Sequence, residues 1–115
     1  MAIRVAVLRT GDKIIADIKE IVNDDKDIVA YLFTNPNTVE INTPLLMTEA
    51  GLQERKVEVS LSKWILITDD KEIAVPTSHV VTIVEPLDSV TKMYLEKLNG
   101  QGNSPDEPAE SDNTD

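Results

Sequence analysis

The chain has 115 residues and a formal net charge of −10 at pH 7, with one Trp, two Tyr, one Phe and no cysteine. This length fits a single domain with its own hydrophobic core. The lack of cysteine excludes a disulfide framework, a thiolate metal site and a thiol nucleophile. So few aromatic residues disfavour a broad stacking platform for single-stranded nucleic acid.

The negative charge is unevenly divided along the chain. Residues 100–115 contain five acidic and no basic groups, so residues 1–99 carry sixteen acidic and eleven basic groups, a net charge of −5. The composition of 100–115 cannot bury enough apolar surface to order itself, which predicts a disordered acidic tail after one domain over 1–99. The acidity of that domain opposes nonspecific attraction to phosphate backbones.

The first part of the sequence predicts three β-strands, at residues 3–9, 12–22 and 28–33. The second strand alternates apolar and polar residues and places Ile14, Ala16, Ile18 and Val22 on one face. A charged turn at 23–27 favours antiparallel pairing between the second and third strands.

A bend follows the third strand, where Asn35, Pro36 and Asn37 precede another extended run at 38–41. A bent or bulged strand accounts for a proline at that point. Residues 42–54 are too apolar for a freely solvated loop. They predict either a short helical or irregular cover over one end of the barrel or a patch that a partner subunit buries.

Residues 55–61 alternate cleanly as a half-buried strand that is expected to continue through Trp64. Three short β-type runs then follow almost end to end, at 64–68, 72–75 and 80–84. Their density of β-branched residues, broken only by turn-forming residues, predicts strands that run back against one another. With the earlier strands they predict a small, mainly β domain closed by its last hairpins.

One helix is predicted after these strands, over 90–98, with Asp88 or Ser89 as its cap and Gly100 beyond its end. Its apolar residues recur at helical spacing and form one stripe. A stripe of this kind is expected to dock the helix on the barrel or on a neighbouring subunit. The stripe consists of Leu87, Val90, Tyr94 and Leu98.

The spacing of Leu8, Gly11 and Ala16 resembles the first signature of Sm-like proteins, with Ala16 where that family usually has Gly. Residues 75–83 resemble the second signature in their apolar positions. Over residues 2–98 the chain most resembles a marine-metagenome family of cyanophage origin with an Sm-like fold. This resemblance implies a small, strongly bent β-barrel of about five strands, followed by a C-terminal α-helix.

The resemblance also implies a function and an assembly. Sm-like proteins bind RNA and pair edge strands head to tail into rings, so a homo-oligomer of five to seven subunits that binds RNA or single-stranded DNA is expected. The alternative is a monomer whose terminal helix covers the edge. Candidate nucleic-acid contacts are Asn35, Thr77, Ser78 and His79, with Arg4, Arg9, Lys13 and Lys19 as phosphate partners. Candidate oligomer-interface residues are Ile73, Val75, Val81 and Ile83.

The chain departs from the Sm-like pattern where that family binds RNA. The family's Arg-Gly pair is replaced here by Pro76 and Thr77, and its Asp and Asn loop has no recognisable counterpart. These departures and the acidic body favour a second interpretation, an adaptor ring that binds another protein and no nucleic acid.

No catalytic constellation is recognisable, so the sequence predicts no enzyme, no cofactor and no metal. His79 is the only histidine, so a Ser-His-Asp triad would need it, and the sequence contains no nucleophile elbow. The acidic cluster at 24–27 lacks the glycine and the distal glutamate of a calcium loop. The first apolar run is too short for a signal peptide or a membrane span, so the chain is expected to be soluble and cytoplasmic, in an infected host cell if it is phage-derived.

Overall fold

The computed structural model describes residues 1–42, 45–47, 53–55 and 58–101, and this part of the chain is mainly β, as predicted. The chain divides into two units, Met1–Glu85 and Pro86–Asp115. The elements, in chain order, are β1 Ile3–Leu8, β2 Lys13–Val22, β3 Ile28–Asn42, β4 Leu45–Met47, β5 Gln53–Arg55, β6 Glu58–Lys63, β7 Glu72–Pro76, a 3-10 helix Thr77–His79, β8 Val80–Val84 and α1 Asp88–Gln101.

The main sheet has six antiparallel strands in the order β6-β3-β2-β1-β8, with β7 also paired to β3. The predicted pairing of the second and third strands is confirmed. At 15 residues, β3 is long enough to carry two short strands in series on one side. Residues 37–42 pair with β6, and residues 30–34 pair with β7.

The predicted bend in β3 is confirmed and has a local cause. Asn35 adopts a φ of 53°, a left-handed conformation that asparagine tolerates better than most residues. The register between β2 and β3 shifts here, because Ile15 lies opposite Asn37 whereas Asp17 lies opposite Thr34. The bend divides β3 into the half that pairs with β6 and the half that pairs with β7.

The pairing of the late strands differs from the prediction in two ways. Strands β6, β7 and β8 do not run back against one another, because β6 and β7 pair with β3 and β8 pairs with β1. The sheet is also neither closed nor strongly curled: among the described strands none pairs with the outer edge of β7 or of β8. The expectation of a closed barrel is therefore corrected to an open six-stranded sheet.

The strand predicted at 64–68 is also wrong, since this segment is a bend and turn outside the sheet. Trp64 leaves the strand direction and packs its ring against Phe33, with the ring centroids 6.1 Å apart. Leu66 and Ile67 are exposed. High β-propensity did not produce a strand here because β3 already pairs with β6 and β7 along this side.

The core lies on one face of the sheet and contains three of the four residues that the alternation in β2 predicted, whereas the fourth, Val22, is 53% exposed. Tyr31, Trp64, Ile73, Val80 and Ile83 pack against it while partly buried. Ile15 is also fully buried, although it points to the opposite face from its neighbours. The buried cluster consists of Ala6, Leu8, Ile14, Ala16, Ile18, Phe33 and Val75.

The predicted helix is present but longer than expected. Its first hydrogen bonds run from the N–H groups of Val90 and Thr91 to the carbonyl of Leu87, and it continues through Gly100 instead of ending before it. Tyr94 is buried, Val90 and Leu98 are half-buried, and Leu87 is exposed. The apolar stripe is thus confirmed for three of its four residues.

Two sequence predictions fall wholly or partly outside the described residues. Within 42–54, the described backbone forms the short strand β4 and the start of β5, which pair with each other, so this part is not helical. The predicted tail at 100–115 lies outside the described residues beyond Gln101.

Candidate nucleic-acid interface and assembly edges

The end of β1 meets the 3-10 helix through Arg9. The backbone N–H of Arg9 donates to the carbonyl of His79 at 2.9 Å, and its Nη1 donates to the carbonyl of Ser78 at 3.3 Å. Thr77 begins the same 3-10 helix. The structure therefore brings together Arg9 and three of the predicted polar contacts, although they are far apart in sequence.

Lys13 lies near the same end of the sheet, just after the tight turn that follows β1. The N–H of Gly11, at a φ of +95°, donates to the carbonyl of Leu8, and the N–H of Leu8 donates to the carbonyl of Asp12, both at 2.9 Å. We call Arg9, Lys13, Thr77, Ser78 and His79 the Arg9 cluster. Its surroundings are not purely basic, since Asp12 lies in the turn and accepts a hydrogen bond from the Thr10 hydroxyl at 2.8 Å.

The other predicted phosphate partners lie elsewhere. Arg4 is at the opposite end of β1, about 16 Å away at the rise of a β-strand. Its Nη1 donates to its neighbour's carbonyl at 2.8 Å, and its Nη2 is 3.9 Å from Oε1 of Glu85. Lys19 lies on β2, where it pairs with Leu32 of β3. The four basic residues thus do not form one patch.

Asn35 is likewise separate from the Arg9 cluster. It occupies the bend in β3, where its N–H donates to the carbonyl of Lys71 at 2.6 Å. Its positive φ gives a conformational reason for asparagine at this position. The structure therefore gives Asn35 a role in shaping β3.

Among the described strands β6, β7 and β8 each pair on one side only, and the two that the sequence predicted as assembly edges are β7 and β8. Each has five residues, and the three residues of the 3-10 helix join them. On β8, Val81 is 64% exposed and lies at a register shift opposite β1, which marks a bulge.

The predicted interface residues differ in what their side chains contact. Val75 is buried, and Ile73 and Ile83 pack against the core. These three side chains belong to the chain's own core, so they are not available to contact a neighbour. Val81 is the one of the four whose side chain is exposed.

Sequence reasoning missed a buried polar residue, Asn37. It is 3% exposed, its Nδ2 donates to the carbonyl of Asn35 at 3.1 Å, and its Oδ1 has no hydrogen-bond partner. An unpaired buried acceptor lowers the stability of the fold. Asn37 therefore contributes through the hydrogen bond that its side-chain amide donates to the bend. The sequence signal was weak, because asparagine beside a proline is typical of an exposed turn.

Across the described ranges no group of three or more His, Cys, Asp or Glu side chains is placed to hold a metal ion. Nor does any described helix have the length and apolarity needed to cross a membrane. Arg9 presents a guanidinium with five N–H donors, and within the described part of the chain one of its nitrogens, Nη1, donates to the carbonyl of Ser78. Such a group is suited to phosphate or carboxylate oxygens.

Comparison with known proteins gives a family for residues 1–99. No curated protein matches the chain at a significant level. The model of a family of unknown function, DUF6561, matches residues 1–99, which include every strand of the main sheet and nearly all of α1. The chain therefore belongs to the DUF6561 family.

Proposed function

We propose that this protein is a non-enzymatic subunit of a ring of five to seven copies, and that it binds RNA or single-stranded DNA at the Arg9 cluster. The observation that carries the proposal is that β7 and β8, which have no partner on their outer sides among the described strands, are joined by the three-residue helix that also contacts Arg9. Assembly and binding would therefore use adjacent parts of one structural unit.

The assembly follows from the need to cover exposed strand edges. An open edge presents unpaired N–H and C=O groups and invites pairing with another chain. Two different edges on one subunit favour a heterologous contact, in which β7 of one copy pairs with β8 of the next. Repetition of such a contact closes into a ring when the rotation per subunit allows it, in line with the Sm-like resemblance.

Nucleic-acid binding is supported by the composition of the Arg9 cluster. Arg9 supplies a cation that donates to the main chain of Ser78, and Lys13 follows the turn after β1 as a second cation. The hydroxyls of Thr77 and Ser78 are groups that proteins use to contact phosphate and sugar oxygens. A ring repeats the cluster once per subunit. Weak single contacts then act together, which raises the apparent affinity without any further contact in one copy.

The test is fluorescence anisotropy with labelled single-stranded RNA and DNA between about 50 and 200 mM salt. We expect binding that weakens as salt rises. Arg9→Gln should weaken it several-fold and reduce the salt slope by about one, the effect of losing one phosphate contact. Lys92→Gln on α1 is the matched control, since it removes one exposed cation from another element and should leave binding unchanged.

A protein-binding adaptor is the second candidate, and a specific observation favours it. Asp12 lies in the turn between Arg9 and Lys13, and residues 1–99 are acidic overall, both of which oppose a polyanion. An assembled protein that shows no oligonucleotide binding at the lowest salt would replace the nucleic-acid proposal with this one. Light scattering after size exclusion establishes the assembly in the same samples.

A further inference from the structure

The loop at 64–71 displays two large apolar side chains to solvent. Leu66 is 77% exposed and Ile67 is 94% exposed. They are neighbours in sequence and lie between the half-buried Trp64 and the acidic pair Asp69 and Asp70. Neither residue takes part in the strand pairing of the sheet.

This loop is held in place by contacts on both sides of the apolar pair. The N–H of Trp64 donates to the carbonyl of Pro36 at 3.2 Å, and its ring packs on Phe33. Beyond the pair, the carbonyl of Thr68 accepts a hydrogen bond from Lys63 Nζ, and its Oγ1 accepts one from the N–H of Asp70 at 3.1 Å. A tethered loop holds Leu66 and Ile67 outward in a defined place.

The loop ends beside the first residue of β7. The carbonyl of Lys71 accepts from the N–H of Asn35, and Glu72 pairs with Thr34. If β7 pairs antiparallel with β8 of another copy over their full five residues, Glu72 lies beside Val84 of that copy. Lys71 then lies near the other copy's Glu85, so opposite charges meet at this end of the contact.

We infer that Leu66 and Ile67 pack on the exposed end of β8 in a second copy of this chain, against Val84. Val84 is 47% exposed, so an apolar surface is available there. The inference rests on the proposed ring and adds side-chain contacts to its main-chain edges. A lipid surface fits less well, because Asp69 and Asp70 would meet anionic headgroups.

The first experiment compares the full-length protein with Leu66→Ser/Ile67→Ser by light scattering over a dilution series. Loss of two buried apolar side chains should weaken subunit association by roughly 100-fold or more. The matched control is Val22→Ser/Ile41→Ser, which removes exposed apolar side chains from β2 and β3 and should dissociate like the unaltered protein. Circular dichroism confirms that each variant remains folded.

The second experiment uses the absence of native cysteine. Ile67→Cys/Val84→Cys, treated with a short bifunctional maleimide, should give a ladder of covalent oligomers that ends at the number of subunits in the ring. Ile41→Cys/Val84→Cys is the control and should remain largely monomeric on a denaturing gel.

The outcomes separate the inference from the proposed function. An unaltered protein that is monomeric at micromolar concentration overturns both. An oligomer that is unaffected by Leu66→Ser/Ile67→Ser and gives no ladder from Ile67→Cys/Val84→Cys overturns the inference and leaves the ring. Capture of a different protein by the loop in an otherwise unaffected oligomer also overturns it, since the occupant would then not be a second copy.

Discussion

Strand β2 and the loop at 64–71 contain similar apolar residues but use them in opposite ways. Ile14 and Ile15 of β2 are fully buried, whereas Leu66 and Ile67 are among the most exposed large apolar residues of the described chain. Strand β2 lies between β1 and β3, so strands flank it on both sides and its main chain is paired to both. The loop lies outside the sheet. Burial therefore depends on the neighbours that the topology supplies as well as on residue type.

The largest expected effect is on the free energy of unfolding when one residue is truncated in each region. Ile14→Ala should lower it by about 2–5 kcal/mol, because the change removes buried methyl groups and leaves a cavity in the core. Leu66→Ala should change it by less than about 0.5 kcal/mol, as at an exposed site.

Urea unfolding checks this pair at a protein concentration below that at which subunits associate, because assembly adds to apparent stability. Equal losses for the two variants would show that Leu66 is buried within its own subunit. The comparison between β2 and the loop would then have to be abandoned.

A smaller effect is expected at the bend that separates the two halves of β3. Asn35→Val should lower the free energy of unfolding by about 1–2 kcal/mol, because a β-branched residue is strained at a φ of 53°. Asn35→Gly is the matched variant and should cost much less, since glycine adopts this conformation freely.

Thermal melting of the two Asn35 variants distinguishes conformation from contact. If glycine and valine destabilise equally, the side chain of Asn35 itself stabilises the bend. If neither does, the backbone of β3 relaxes at Asn35, and the bend is not what holds the loop at Lys71.

The β1 to β3 region could be predicted from sequence because its signals are local. Alternation in β2 identified Ile14, Ala16 and Ile18 as core, and the charged turn at 23–27 set the antiparallel pairing. Proline within an extended run indicated the bend. Each of these patterns depends on neighbours a few residues away, so a single sequence contains the information.

The order of the late strands could not be predicted in the same way. Nothing near Glu72 shows that its strand pairs with Thr34 and its neighbours, which lie almost forty positions earlier. For the same reason, the sequence identified Arg9, Ser78 and His79 by residue type as candidate contacts but did not predict that Arg9 contacts the 3-10 helix. Long-range pairing decided which apolar run became an edge strand and which became the exposed loop.

The smallest effect on folding, and a large one on assembly, is expected for Val81→Lys. Val81 is 64% exposed at the bulge of β8, so lysine there should change the free energy of unfolding of a single subunit by less than about 0.5 kcal/mol. A lysine on an edge strand opposes the addition of a further strand, because its charge would be desolvated in the contact.

Size exclusion should therefore show a folded protein with fewer subunits, whereas Ile41→Lys, on an interior strand, should assemble normally. An unchanged oligomer from Val81→Lys would mean that β8 is not an assembly edge. The exposed apolar residues of β8 would then need a different explanation from those of the loop.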